Sequence, residues 1–119
     1  PTTEWRTSCY SNEFMGAKDG VGVIVGFDST TSRRLQISIT SSDYNVSVYG
    51  ATGDSAPTDL ASWGDEFDGA FAAEPGTITV AAPPAPVDHV LVLVRQLGSD
   101  GGCSDTNPFR GRIAEITPV

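Results

Sequence analysis

Apolar residues in this chain alternate with polar or small ones at a period of two, in short runs. That period admits strands and little else. In 20–27, GVGVIVGF, Val21, Val23, Val25 and Phe27 share one face, and Gly22, Ile24 and Gly26 take the other. In 33–40, RRLQISIT, Leu35, Ile37 and Ile39 point one way, while Arg34, Gln36, Ser38 and Thr40 point out. Tyr44, Val46 and Val48 repeat the pattern in 44–50, and Ile78 and Val80 do so between threonines in 76–82. The segment 89–97, HVLVLVRQL, is apolar on both faces, as a central strand covered from both sides must be. RGRIAEIT, 110–117, supplies the last strand.

Helices find little room. Leu60, Trp63 and Phe67 stand at nearly helical spacing, but Gly64 and Gly69 interrupt them, so 59–73 reads as a short turn or irregular loop. Pro83, Pro84 and Pro86 make a stiff connector. Strands without helices to carry parallel crossovers predict an all-β, antiparallel sandwich, one domain over 1–119. An immunoglobulin-like sandwich lacks its usual support, since Cys9 and Cys103 stand too far apart in sequence for opposing core strands.

Charge narrows the partners. Fifteen acids against 7 bases give a formal charge of −8, and Lys18 is the single lysine. No basic stripe exists to displace counterions from nucleic acid, nor a polybasic patch for anionic lipid. No apolar run reaches the 18 or so residues of a membrane span. The opening PTTEW reads as the middle of something, an excised domain whose targeting segment lies elsewhere. Neutral polyols, cationic partners and other proteins stay open.

Two cysteines and one histidine are too few for a structural zinc site. Cys9 and Cys103 are either free thiols or one disulfide. Both sit in turn-like surroundings, RTSCYSN and SDGGCSD, and can meet if the two loops share an end of the fold. The disulfide is the expected state; it would close a loop of about 95 residues, worth about 4–5 kcal/mol in the chain-entropy model. It implies an oxidising, extracytoplasmic setting.

The order of motifs then takes on a family look. A tryptophan-containing entry (Trp5, with Tyr10 after it) is followed by a variable loop and a K-x-G-V-G-V-x-V strand from Lys18 to Phe27. Next come the alternating isoleucines, VSVYGATG, and the late pair HVLVLVRQLGSDGG and GRIAEI. This arrangement resembles the discoidin-like, galactose-binding-like jelly roll, and more narrowly the extracytoplasmic C-terminal domain of actinobacterial MviN (MurJ-type) proteins. The resemblance covers nearly the whole chain. It implies a jelly-roll domain on the outer face of the plasma membrane, not itself inserted but tethered to a membrane protein of peptidoglycan biosynthesis. It further implies recognition of cell-wall carbohydrate or of a periplasmic protein, by a monomer. The family pattern begins earlier, with an acidic turn ahead of the tryptophan, so the N-terminal strand is expected to be truncated.

Catalysis has little to draw on. Cys9 as a nucleophile would need a base, and His89 opens an apolar strand far away in sequence. No G-x-S-x-G elbow occurs. Asp65, Glu66 and Asp68 in WGDEFDG, with Asp100 and Asp105 around Cys103, offer carboxylates for glycoside hydrolysis, but acids in glycine-rich loops read as solvated turn formers. No enzyme is expected. The same acids make calcium the one candidate ion, although no EF-hand loop is present; no other cofactor is expected.

The aromatics Trp5, Tyr10, Phe14, Trp63, Phe67, Phe71 and Phe109 fall outside the strand cores in this reading. Sugar rings stack on exposed aromatics while Asp, Asn and Arg take the hydroxyls. Trp5 reads as a cap on the core; Trp63 and Phe67 are as suited to plugging an end as to binding. A Cys9–Cys103 bond would lay loops 6–18 and 98–109 side by side. That edge would gather Arg6, Tyr10, Asn12, Asp100, Asp105, Asn107 and Arg110, the preferred candidate surface, with Trp63 as an added candidate from loop 50–74.

Overall fold

The alternating segments fold into two facing sheets. The computed structural model describes residues 4–15, 20–31, 34–83 and 85–118, with 27–31 and 118 described by backbone alone. Lys18, Pro84 and the Phe27 side chain, all named above, lie outside the described residues, as does Arg33 of the 33–40 segment. The strands are β1 (Trp5–Arg6), β2 (Val21–Thr31), β3 (Leu35–Ile39), β4 (Tyr44–Ala51), β5 (Asp68–Ala72), β6 (Gly76–Val80), β7 (Val87–Gln96), β8 (Gly98–Ser99), β9 (Phe109–Arg110) and β10 (Arg112–Pro118). One sheet runs β1-β10-β3-β6, the other β2-β7-β4-β5, and β8 with β9 forms a small ribbon. Every pairing is antiparallel. The chain changes sheet at each step from β1 to β4, stays for the β4–β5 pair, then alternates again through β6, β7 and β10. It is an antiparallel β-sandwich, as the alternation requires.

The inner faces meet in one core. Leu35, Ile37, Ile39, Val80 and Ile113 come from one sheet, and Val46, Val48, Val90, Val92 and Val94 from the other. Val48 and Val92 are opposite each other in the ladder and both are 0% exposed. Burying each such side chain contributes about 1.5–3 kcal/mol. Trp5, opposite Ile113, packs half-buried against this core, in the capping role read from the sequence.

The second sheet is also covered on its outside. Tyr49, Leu91 and Leu93 point outward from β4 and β7 and are roofed by Trp63, on the 3-10 turn Leu60–Trp63, with Ala51, Ala56 and Leu60. This explains why β7 reads apolar on both faces. Trp63, a candidate ligand residue in the sequence, is 6% exposed here and serves as this roof. On the same face Arg95 Nε donates to Ser47 Oγ at 2.8 Å, and its Nη2 donates to the Tyr49 hydroxyl.

The stretch 59–73 contains the turn expected of it, but also strand β5, paired from Tyr44–Ala72 to Val48–Asp68. Gly69 lies inside the strand, where a Cβ would stand 2.8 Å from the Val46 carbonyl. Asp68 then ties the adjoining edges of the two sheets: Oδ2 accepts the Ala81 N–H at 2.6 Å and Oδ1 its neighbour Gly69 N–H at 2.8 Å. Strand ends sort the loops into two groups. Residues 7–15, 40–43, 73–75 and 97–111 meet at one end; 52–67 and 81–86 meet at the other.

Candidate functional site

The first end is stapled. Cys9 and Cys103 form a disulfide with an S–S distance of 2.09 Å and a Cα–Cα distance of 5.8 Å. No free cysteine remains. The two loops also exchange backbone bonds: Tyr10 N–H to the Phe109 carbonyl at 2.7 Å and Phe109 N–H to the Tyr10 carbonyl at 3.0 Å. Thr7 N–H reaches the Gly111 carbonyl at 3.0 Å, and Gly111 N–H reaches Thr7 Oγ1 at 3.1 Å. The side-by-side placement expected from a bonded cysteine pair is therefore present.

Three charged residues at this end, Arg112, Glu4 and Asp100, are committed to the fold. Arg112 donates from Nη1 to Glu4 Oε1 at 2.6 Å, and from Nε and Nη2 to the two Asp100 oxygens at 2.5 and 3.2 Å. Thr40 Oγ1 donates to Glu4 Oε2 at 2.7 Å, and Gly102 N–H to Asp100 Oδ1 at 2.8 Å. The Thr40 hydroxyl and the Arg112 guanidinium hold the Glu4 carboxyl below the usual carboxylate range. Arg112 does the same to Asp100, outweighing the opposing effect of burial, with help from the Gly102 N–H. The two carboxylates, Asp100 foremost, raise Arg112 in return. Such bidentate pairs are geometric clamps.

The structure thus brings Arg6, Tyr10, Asp100 and Arg110 together around the staple. Asp100 is spent on Arg112 and Gly102. Asn12 is exposed, with Oδ1 accepting the Phe14 N–H at 2.7 Å in a local turn. Asp105 and Asn107 are exposed, and Asn107 N–H bonds Ser104 Oγ at 3.1 Å. Arg110 is half-buried; its Nε is buried and bonds no described residue.

Open surface lies just beside the staple. A cleft of about 250 Å³ runs between Thr40–Ser42, Pro75 and Ser99–Gly101, together with Arg112. It depends on close packing at Gly98, where a Cβ would stand 2.2 Å from the Ser42 carbonyl; only glycine admits that approach. Next to it, across the Asp43 N–H to Ala73 carbonyl bond of 2.9 Å, is a shallower depression of about 170 Å³. Asp43, Tyr44, Phe71, Ala72, Ala73 and Gln96 line it. Phe71 is 82% exposed on the outer face of edge strand β5, and its ladder partner Asn45 in turn pairs Gln96. Asp43 holds a left-handed turn, φ 49°, that starts β4. Nothing in the packing accounts for a phenylalanine this exposed.

The opposite end carries a larger cleft, about 430 Å³. It lies among Gly50–Thr52, Pro57, Ser62, Asp65, Phe67, Pro83 and Ala85–Val87. The sequence signal for it is one of absence: from Leu35 to Val94 there is no lysine or arginine, while Asp54, Asp59, Asp65, Glu66 and Asp88 crowd the segments that form the cleft.

Among the described residues no three of His, Cys, Asp and Glu converge. His89 sits in β7 opposite Gly26 and Ala51, with a buried Nδ1 that bonds no described residue. Among the described residues no helix is long and apolar enough to cross a membrane. No family model, curated protein or solved structure matches the chain.

Proposed function

We propose that the chain is a non-catalytic, extracytoplasmic binding module of the discoidin-like jelly-roll type, which recognises neutral cell-wall saccharide at the surface around Phe71. The resemblance of its motifs to the MviN-type domain suggests attachment to a membrane protein of peptidoglycan biosynthesis. The alternation of strands between sheets agrees with a jelly roll, and the disulfide fits an oxidising compartment.

The observation that carries the reading is Phe71. An 82% exposed aromatic beside Asp43 and Gln96 offers an apolar ring for a sugar face and polar groups for its hydroxyls. Ser42 and Ser99, which line the neighbouring cleft, extend the same surface. None of these groups is a fixed positive charge apart from Arg112, which is already neutralised by Glu4 and Asp100. A neutral saccharide suits that balance.

Calorimetric titration with N-acetylglucosamine oligomers and a panel of soluble wall fragments tests it. Phe71→Ala should weaken saccharide binding about tenfold, the scale of one aromatic stacking contact. Silence across the panel, with the folded protein intact, would sink the saccharide reading and leave a periplasmic protein as the partner.

A further inference from the structure

The second cleft calls for a different partner. Its walls are apolar and stiff: Pro57, Pro83 and Pro86, whose rings fix the backbone, with Ala51, Ala85 and Val87. Phe67 is anchored by its N–H to the Val48 carbonyl at 2.9 Å. Gly50 leaves the space open, since a Cβ there would stand 2.8 Å from Val87 Cγ1 and 3.5 Å from Phe67 Cε2. Among the described residues Asp65 is the one charged residue in the lining, with Thr52 and Ser62 as neutral polar neighbours.

Acids are interleaved with these lining residues along the chain: Asp54 before Pro57, Asp59 before Ser62, Glu66 before Phe67, Asp88 after Val87. Asp88 accepts the Gly53 N–H at 2.7 Å and Asp59 the Ser62 hydroxyl at 2.6 Å, which holds the loop in shape. Asp54, Asp65 and Glu66 are exposed. Among the described residues Arg34, exposed immediately before β3 in the other sheet, is a basic group at this end. Arg95 stands at the far end of β7, on Ser47 and Tyr49.

We infer that this cleft docks a basic polypeptide segment, seating the methylene stem of a lysine or arginine against the proline and Phe67 walls with its cation at Asp65. Long cationic side chains bury their stems on apolar surface and keep the charge at a polar rim. Acids spread over several loops complement a chain bearing several cations better than a single amine. The volume, about 430 Å³, accommodates such a side chain with room for its neighbours. The cleft is separate from the Phe71 surface, so each stands or falls alone.

The probe is a fluorescently labelled peptide of alternating glycine with lysine or arginine, followed by anisotropy at low salt and by amide shifts of the labelled protein. Shifts are expected at Thr52, Ser62, Asp65 and Ala85. Asp65→Asn, at an exposed position that should not disturb folding, is expected to weaken binding about three- to fivefold. Glu115→Gln, an equal change of net charge in the other sheet, is expected to weaken it by less than about twofold. A lysine-acetylated, arginine-free peptide should not bind. Equal weakening by both variants, equal binding of the neutral peptide, or no binding at all would overturn the inference. So would lysine amide binding as tightly as the peptide, which would make the occupant a small amine.

Discussion

The two ends of the sandwich use polar residues in opposite ways. At the stapled end, a disulfide, a reciprocal backbone bridge and the Glu4–Arg112–Asp100 clamp hold loops 7–15 and 97–111 together. At the acidic end, prolines and two carboxylate bonds, Asp59 to Ser62 and Asp88 to Gly53, shape the loops, and Asp54, Asp65 and Glu66 are exposed. The density of polar groups in a sequence is therefore a poor guide to their availability. In the richest cluster, around Cys9 and Cys103, Asp100 is taken up by Arg112 and Gly102 while Arg6, Asn12, Asp105 and Asn107 are exposed, and a further open surface lies beside it, around Phe71.

Breaking the staple should show the contrast at its largest. Reduction, or Cys9→Ala with Cys103→Ala, is expected to cost about 4 kcal/mol and lower Tm by more than about 10 °C. Thermal melts with and without reductant measure this; an unchanged Tm would mean that the clamp and core already hold that end. Next in size is Trp63→Ala, expected to cost about 3 kcal/mol by emptying the roof over Leu91 and Leu93, while saccharide binding is unchanged. Urea melts paired with calorimetry check it, and a stable variant that loses binding would restore Trp63 as a ligand residue.

Acid should then single out the stapled end. Glu4 and Asp100 are depressed in the folded protein. Their contribution is therefore fully present above the ordinary carboxylate range, near pH 4, and is lost as pH falls through their lowered values. Urea midpoints should fall below about pH 4, and Arg112→Gln should flatten that limb. An identical acid limb in the variant would assign the loss to other carboxylates. The smallest stability effect belongs to Phe71→Ala, within about 0.5 kcal/mol of the parent because the ring packs on so little.

Much of this fold is legible in the residues. Leu35, Ile37 and Ile39 alternate with polar neighbours because one face of β3 is buried, and β7 reads doubly apolar because Trp63 covers its outer side. Strand β5 is hidden because its inward residues, Ala70 and Ala72, are too small to mark a period, and Gly69 looks like a breaker. Phe71 is missed with it, since a ring on an unrecognised strand reads as one more loop aromatic. The pairing of Cys9 with Cys103 follows from counting and chemistry, but the commitment of Asp100 does not. Its partner Arg112 also holds Glu4, 108 residues away, and nothing local announces that triangle.

The central claim is that the two ends carry different recognition chemistry, and one experiment addresses it directly: amide-shift mapping of a single labelled sample titrated in turn with N-acetylglucosamine oligomers and with the basic peptide. The saccharide is predicted to move Asp43, Phe71, Gln96 and Thr40–Ser42, and the peptide to move Thr52, Ser62, Asp65 and Ala85. Both probes moving one set of residues, or neither moving any, would contradict it.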